Sequence, residues 1–229
     1  MSEAPAYRSS IPDSAEERVI ETHEDGSKAQ AEYWLDGQRV GRRYFFESGE
    51  LAGDVGLRGD RYHGIDYRWD MPGSLMSAIP YADGLEHGTA HQWGYDGTYL
   101  GSYTMQHGTG IDLWRSGCGG EQPVLSEVRY YRDGQRHGFE WWLNGDQRSV
   151  YEEGHYANGQ PHGILRQWNS QGRLRRGYPQ YYVNGERVTK RQYLRASQHD
   201  PNLPRFSPED NLPARTFPPE VAQHLGPQE

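Results

Sequence analysis

A chain of 229 residues and 26.3 kDa has room for one large domain or one extended array, not for several packed domains. Hydrophobic residues make up only 34% and mean hydropathy is -1.02; no apolar run approaches the roughly 18 residues of a membrane helix, which excludes a helix-spanning protein. Nucleic acid and anionic lipid are both held through an excess of Lys and Arg, so a net charge of -8 argues against either as a partner.

The chain opens on a polar segment, residues 1–17, with Pro5 and Pro12 and no apolar stretch. It reads as a flexible N-terminus without a secretory signal. The single cysteine, Cys118, excludes an internal disulfide framework, and together these features point to the cytoplasm. From residue 18 to residue 188 the sequence repeats. His-Gly pairs stand at His63-Gly64, His87-Gly88, His107-Gly108, His137-Gly138 and His162-Gly163, and Gly41 holds the same place without the histidine. A large aromatic follows about five residues later at Phe46, Trp69, Trp93, Trp142 and Trp168. Asx-Gly steps recur between these landmarks, among them Asp36-Gly37, Asp83-Gly84, Asp133-Gly134, Asn158-Gly159 and Asn184-Gly185.

Two-residue hairpin turns need positive φ at both central residues, which Asx and Gly tolerate. The segments between the steps alternate with period two, as in "GILRQW" from Gly163 to Trp168. Each unit therefore reads as a hairpin of two short strands. A lone hairpin is marginal in water, so neighbouring units are expected to stack side by side over a shared aromatic ladder. The predicted fold is all-β: an elongated single-layer antiparallel sheet of repeated β-hairpins. Residues 189–229 change character. Thr189 and Gln192 form a T-x-x-Q capping box, which predicts a short helix over 190–196 that covers the last sheet edge. The tail from Gln198 holds 7 of the 14 prolines and is expected to be extended, with one helical turn near Pro218–Leu225 docked by Val221 and Leu225.

The units "YYRDGQRHGFEWWLNG" (130–145) and "HYANGQPHGILRQWNSQGRL" (155–174) resemble the MORN repeat family, most closely its bacterial variant. The resemblance covers roughly residues 18–188. It implies an open sheet of successive hairpins that serves as a scaffold for protein contact, in a variant associated with immunity or antitoxin partners of toxins. It implies no enzymatic activity.

Each chemistry-bearing residue has a plainer role to set beside the functional one. His87 and His91 have the i, i+4 spacing of a zinc helix, but on a strand four residues span about 13 Å and cannot share a metal. Only a cross-repeat pair such as His87 with His107 could approach, and a histidine bonded beside its turn is the favoured reading. Neither metal nor cofactor is expected. Cys118 lies in a Gly-rich loop, and an enzyme built on it would need a neighbouring histidine, His107 or His137, as base. The favoured function is non-catalytic: an immunity- or antitoxin-like protein that neutralises a toxin, in particular a basic toxin domain, by stoichiometric binding. A membrane- or glycan-associated scaffold is the alternative. Phe46, Trp69, Trp93, Trp142 and Trp168 are assigned to the structural ladder. Tyr67, Tyr95, Tyr131, Trp141 and Arg166, which stand off that phase, are assigned to an exposed partner-binding face, since Tyr, Trp and Arg dominate binding hot spots.

Overall fold

The structure is a computed structural model and describes residues 6–119 and 121–226. Residues 1–5 of the N-terminal segment, Gly120, and residues 227–229 of the tail lie outside the described residues. Residue contacts divide the chain into two units, Met1–Gly108 with Gly117–Glu121, and Thr109–Ser116 with Gln122–Glu229.

The first unit holds β1 (Glu16–Thr22), β2 (Lys28–Leu35), β3 (Gln38–Phe45), β4 (Leu51–Arg58), β5 (Arg61–Met71), β6 (Ser74–Ala82), β7 (Leu85–Glu86), β8 (Gly88–Trp93) and β9 (Tyr99–Gln106). They pair antiparallel in chain order, with β7 and β8 both lying along β6. The second unit holds β10 (Thr109–Ser116), β11 (Val124–Arg132), β12 (Gln135–Leu143), β13 (Val150–Ala157), β14 (Gln160–Pro161), β15 (Ile164–Gln167), β16 (Gln180–Val183) and β17 (Glu186–Val188). These also pair antiparallel in succession, β14 and β15 both along β13. The fold is thus the expected all-β succession of antiparallel hairpins with a short C-terminal helix.

The repeat signature has a physical basis in the turns. Asp36, Asp83, Asp133, Asn158 and Asn184 all have φ near +50° and are followed by a positive-φ glycine. His107-Gly108 adopts the same conformation, with φ of +46° and +72°. A second set of turns is longer. Asp25 and Asp96 accept bonds from the backbone N–H of Ser27 and Thr98, and the left-handed residue is the glycine alone. Asn144-Gly145 is not a two-residue turn: Gln147 takes the left-handed position, and its side-chain amide bonds both the N–H and the carbonyl of Leu125.

The repeated histidines link one hairpin to the next. His63 Nδ1 accepts from the Asp83 N–H, His87 Nδ1 from the His107 N–H at 3.2 Å, and His162 Nδ1 from the Asn184 N–H at 3.0 Å. The residue before each histidine accepts from the following glycine, as Gly84 N–H gives to the Tyr62 carbonyl and Gly185 N–H to that of Pro161. Left-handed turns leave these N–H groups facing the neighbouring hairpin, and an imidazole at fixed spacing satisfies them. This is the favoured reading of the histidines. Two positions differ: His107 occupies a turn itself and Thr109 Oγ1 accepts from the Asp133 N–H, while His137 Nδ1 is buried without a hydrogen-bond partner.

Both terminal segments pack onto a sheet face. Residues 7–11, expected to be flexible, lie on the first unit. Ile11 is buried over Gly41, where a Cβ would run into its side chain, and Ser10 sits against Gly56 and Gly64 while its hydroxyl accepts from the Ile65 N–H. In the second unit, α1 (Lys190–His199) starts at the capping box: Thr189 Oγ1 accepts from the Gln192 N–H, and Gln192 Oε1 accepts from the Thr189 N–H. It buries Tyr193 against Ile164, Tyr181 and Leu203. The tail then returns across the strands through a short 3-10 turn at 209–211 to α2 (Pro219–Ala222), where Val221 is fully buried and Leu225 half-buried.

Candidate functional site

The alternation of the strands sorts the side chains into two faces. In the first unit one cross-strand row runs Ala31, Arg43, Asp54, Tyr67, Ala78, His91. The N-terminal segment covers it. Tyr7 meets Tyr67 and Trp69 edge-on at 4.9 and 5.1 Å, and its hydroxyl gives a bond to Asp54 Oδ2. Ser9 Oγ and Arg43 Nε reach the same oxygen at 2.8 and 2.9 Å. Burial and the adjacent Asp54 carboxylate push the Tyr7 hydroxyl up to about 12, so it stays a donor across the physiological range.

In the second unit the matching row is Leu113, Val128, Trp141, Glu153, Arg166. The C-terminal tail covers it. Phe217 stands edge-on to Trp141 at 5.4 Å. Glu153 accepts from Arg166 Nη1 and Arg215 Nε at 2.6 Å each and from Trp141 Nε1 at 2.8 Å. Burial favours the neutral acid, but Arg215, then Arg166 and the Trp141 indole, outweigh it and hold Glu153 below the usual carboxylate range. Asn211 accepts through its carbonyl from Trp168 Nε1 and through its side chain from Arg166 Nε. Between this part of the tail and the strands lies a cavity of about 910 Å³.

The opposite face of the second unit carries a different assembly. Its rows are Asp112, Arg129, Glu140 and Trp114, Glu127, Trp142, Glu152. Arg129 is the hub: it bonds Glu127, reaches Glu140 Oε1 at 3.2 Å and Asp112 Oδ2 at 3.5 Å, and lies 6.0 Å from the Trp142 ring centre. Arg136 bonds Glu140 Oε2 at 3.0 Å and stacks over Tyr156. Burial raises Glu140 above its ordinary value even though Arg136 and Arg129 oppose the shift. Trp114, Trp142, Tyr131 and Tyr156 are half-buried, so their rings keep accessible surface. Four carboxylates here stand against two guanidiniums, giving the face an acidic excess.

These positions correct the residue assignments made from sequence. Of the five residues expected on an exposed face, Tyr67, Trp141 and Arg166 are buried, at 1%, 6% and 3% exposure. All three lie three residues after a His-Gly glycine, on the row that a terminal segment covers. Tyr131 is half-buried on the opposite face, and only Tyr95, at 58%, is largely exposed, in the turn after β8. The ladder is also corrected. Trp168 is buried, whereas Phe46, Trp69, Trp93 and Trp142 are half-buried, and no ring contact joins successive members among the described residues. Register shifts fall at or beside these positions, between Tyr44 and Phe45, Arg68 and Trp69, Gln92 and Trp93, and Trp142 and Leu143. A bulge re-aims the side chain beside it, so Trp69 and Trp93 meet rings close by instead of joining a column.

His87 and His107 do come together, with rings stacked at 4.0 Å. Among the described residues no group of three or more His, Cys, Asp or Glu gathers closely enough to hold a metal ion. The side-chain partner of Cys118 is the Tyr95 hydroxyl, while His107 is engaged with His87. Among the described residues no helix is long and apolar enough to cross a membrane. The sequence matches no known protein-family model, and no curated protein matches it.

Proposed function

We propose that this chain is a non-catalytic binding protein that holds a protein partner stoichiometrically, in the immunity- or antitoxin-like manner its MORN-like repeats imply, and that contact is made by the half-exposed face of the second unit. The observation that carries the reading is the grouping of Trp142, Trp114, Tyr131 and Arg129 on the face opposite the tail. These residue types supply most hot spots, because a rigid ring or a pre-bonded guanidinium loses little freedom on binding. The acidic excess favours a cationic partner surface and speeds encounter with it. Trp141 is part of the protein's own core and has no place in this contact.

The test is calorimetric titration against the product of a gene adjacent to the protein's own. A 1:1 complex is expected. Trp142→Ala should weaken it by about 2 kcal/mol, roughly 30-fold, and high salt should slow association. Full affinity retained by Trp142→Ala, Tyr131→Ala and Arg129→Glu alike refutes this face as the contact.

A further inference from the structure

We propose that the cavity beneath the C-terminal tail is a small-molecule site that takes a planar aromatic carboxylate. It lies on the face opposite the proposed protein contact and does not depend on that reading. At about 910 Å³ it falls within the range of preformed ligand sites, and it is walled by sheet and tail of the same unit.

The floor selects a flat, apolar body. Phe139 and Trp141 stack at 5.0 Å with an interplanar angle of 6°, and Tyr130 and Phe217 meet Trp141 edge-on at 6.1 and 5.4 Å. Pro204 and Pro218 line the tail side. A planar ring inserted here would meet ring faces and edges in the offset and T-shaped arrangements that aromatic groups favour.

The polar group is selected by Arg166. The residue is 3% exposed, its Nη1 donates to Glu153 and its Nε to Asn211, but Nη2 makes no hydrogen bond. Asp210 Oδ2 stands 3.7 Å from Nη2, within ion-pair range but beyond a hydrogen bond. A buried guanidinium donor without an acceptor is an unfavourable arrangement, and a ligand carboxylate would complete it. The remaining charges around the cavity are accounted for. Glu153 is neutralised by Arg166 and Arg215, and Glu220 accepts from the Tyr130 hydroxyl. Arg205, exposed on the lining, adds positive charge where the acid would enter. His155 gives its Nδ1–H to the His162 carbonyl, which leaves Nε2 as an acceptor on the wall for a ring hydroxyl.

The full-length protein would be titrated with 2-naphthoate and with its neutral isostere 2-naphthamide. Tryptophan fluorescence and the indole N–H signals in NMR would be recorded. The expected result is saturable 1:1 binding of the acid, at least tenfold tighter than the amide, with the largest shift on the Trp141 indole. Arg166→Gln should abolish the preference for the acid. If that variant does not fold, the wild-type acid-to-amide ratio and the location of the shifts decide the matter. Equal affinities, the absence of saturation, or shifts centred on Trp142 and Trp114 would each overturn the proposal.

Discussion

Glu153→Ala removes a buried strand carboxylate that ties the second unit's strands to the tail. Glu153 is 3% exposed and receives three bonds, from Arg166, Arg215 and Trp141, at 2.6, 2.6 and 2.8 Å. Deleting one side of a buried ion pair costs about 3–5 kcal/mol, because the remaining charge is left without compensation. Arg215 keeps bonds to the carbonyls of Asp210, Leu212 and Ala214 and its place over the Trp168 ring, which puts the expected loss near the low end, about 3 kcal/mol. Glu153→Gln retains shape and one acceptor and should cost less, about 2 kcal/mol. Urea unfolding followed by tryptophan fluorescence measures both against a total of about 5–15 kcal/mol for a typical protein. The pH dependence adds a second reading. Because the folded-state pKa of Glu153 lies below the unfolded value of about 4.3, its contribution is present above that pH and is lost as pH falls through the folded value. Glu153→Gln lacks this term, so the gap between wild type and variant should close on acidification. A loss below about 1 kcal/mol for Glu153→Ala, or a gap that does not change with pH, refutes the assignment of Glu153 as the charged link between strands and tail.

Three further outcomes are expected. Gly41→Ala should free the N-terminal segment, seen as faster proteolysis near residues 7–11, and Ile11→Ala should partly restore protection, since the new Cβ would meet the Ile11 side chain. Trp141→Ala should cost about 3–5 kcal/mol in urea unfolding, while its neighbour Trp142→Ala should cost much less, because only Trp141 is enclosed by the tail. Thr189→Ala should lower stability by about 1 kcal/mol through loss of the capping box of α1, with Thr189→Ser restoring most of it.

Features set by neighbouring residues could be read from the sequence. Positive φ is a property of one residue, so Asp36-Gly37 and Asn184-Gly185 mark their turns in the sequence, although Asn144-Gly145 shows that the same pair does not always take that conformation. The capping box of α1 is equally local, and the spacing of the His-Gly pairs matches the reach of one hairpin to the next. The candidate residues were less legible. Alternation separates Trp141 from Trp142, but nothing in the alternation says which side is covered. The signals that were available lie in the terminal segments: Tyr7 and Ile11 in a polar stretch, Phe217 and Val221 among prolines, each a large apolar group in need of a surface.

What the sequence alone determined is the succession of antiparallel hairpins and the helix that follows them, since turns, caps and strand alternation depend on contacts within a few residues. What only the tertiary structure decided is the burial of Tyr67, Trp141 and Arg166 and the half-exposure of Trp142. A sheet face does not bury itself, so its exposure depends on where distant chain ends dock. Those contacts join positions such as Trp141 and Phe217, or Tyr7 and Tyr67, which no local pattern links.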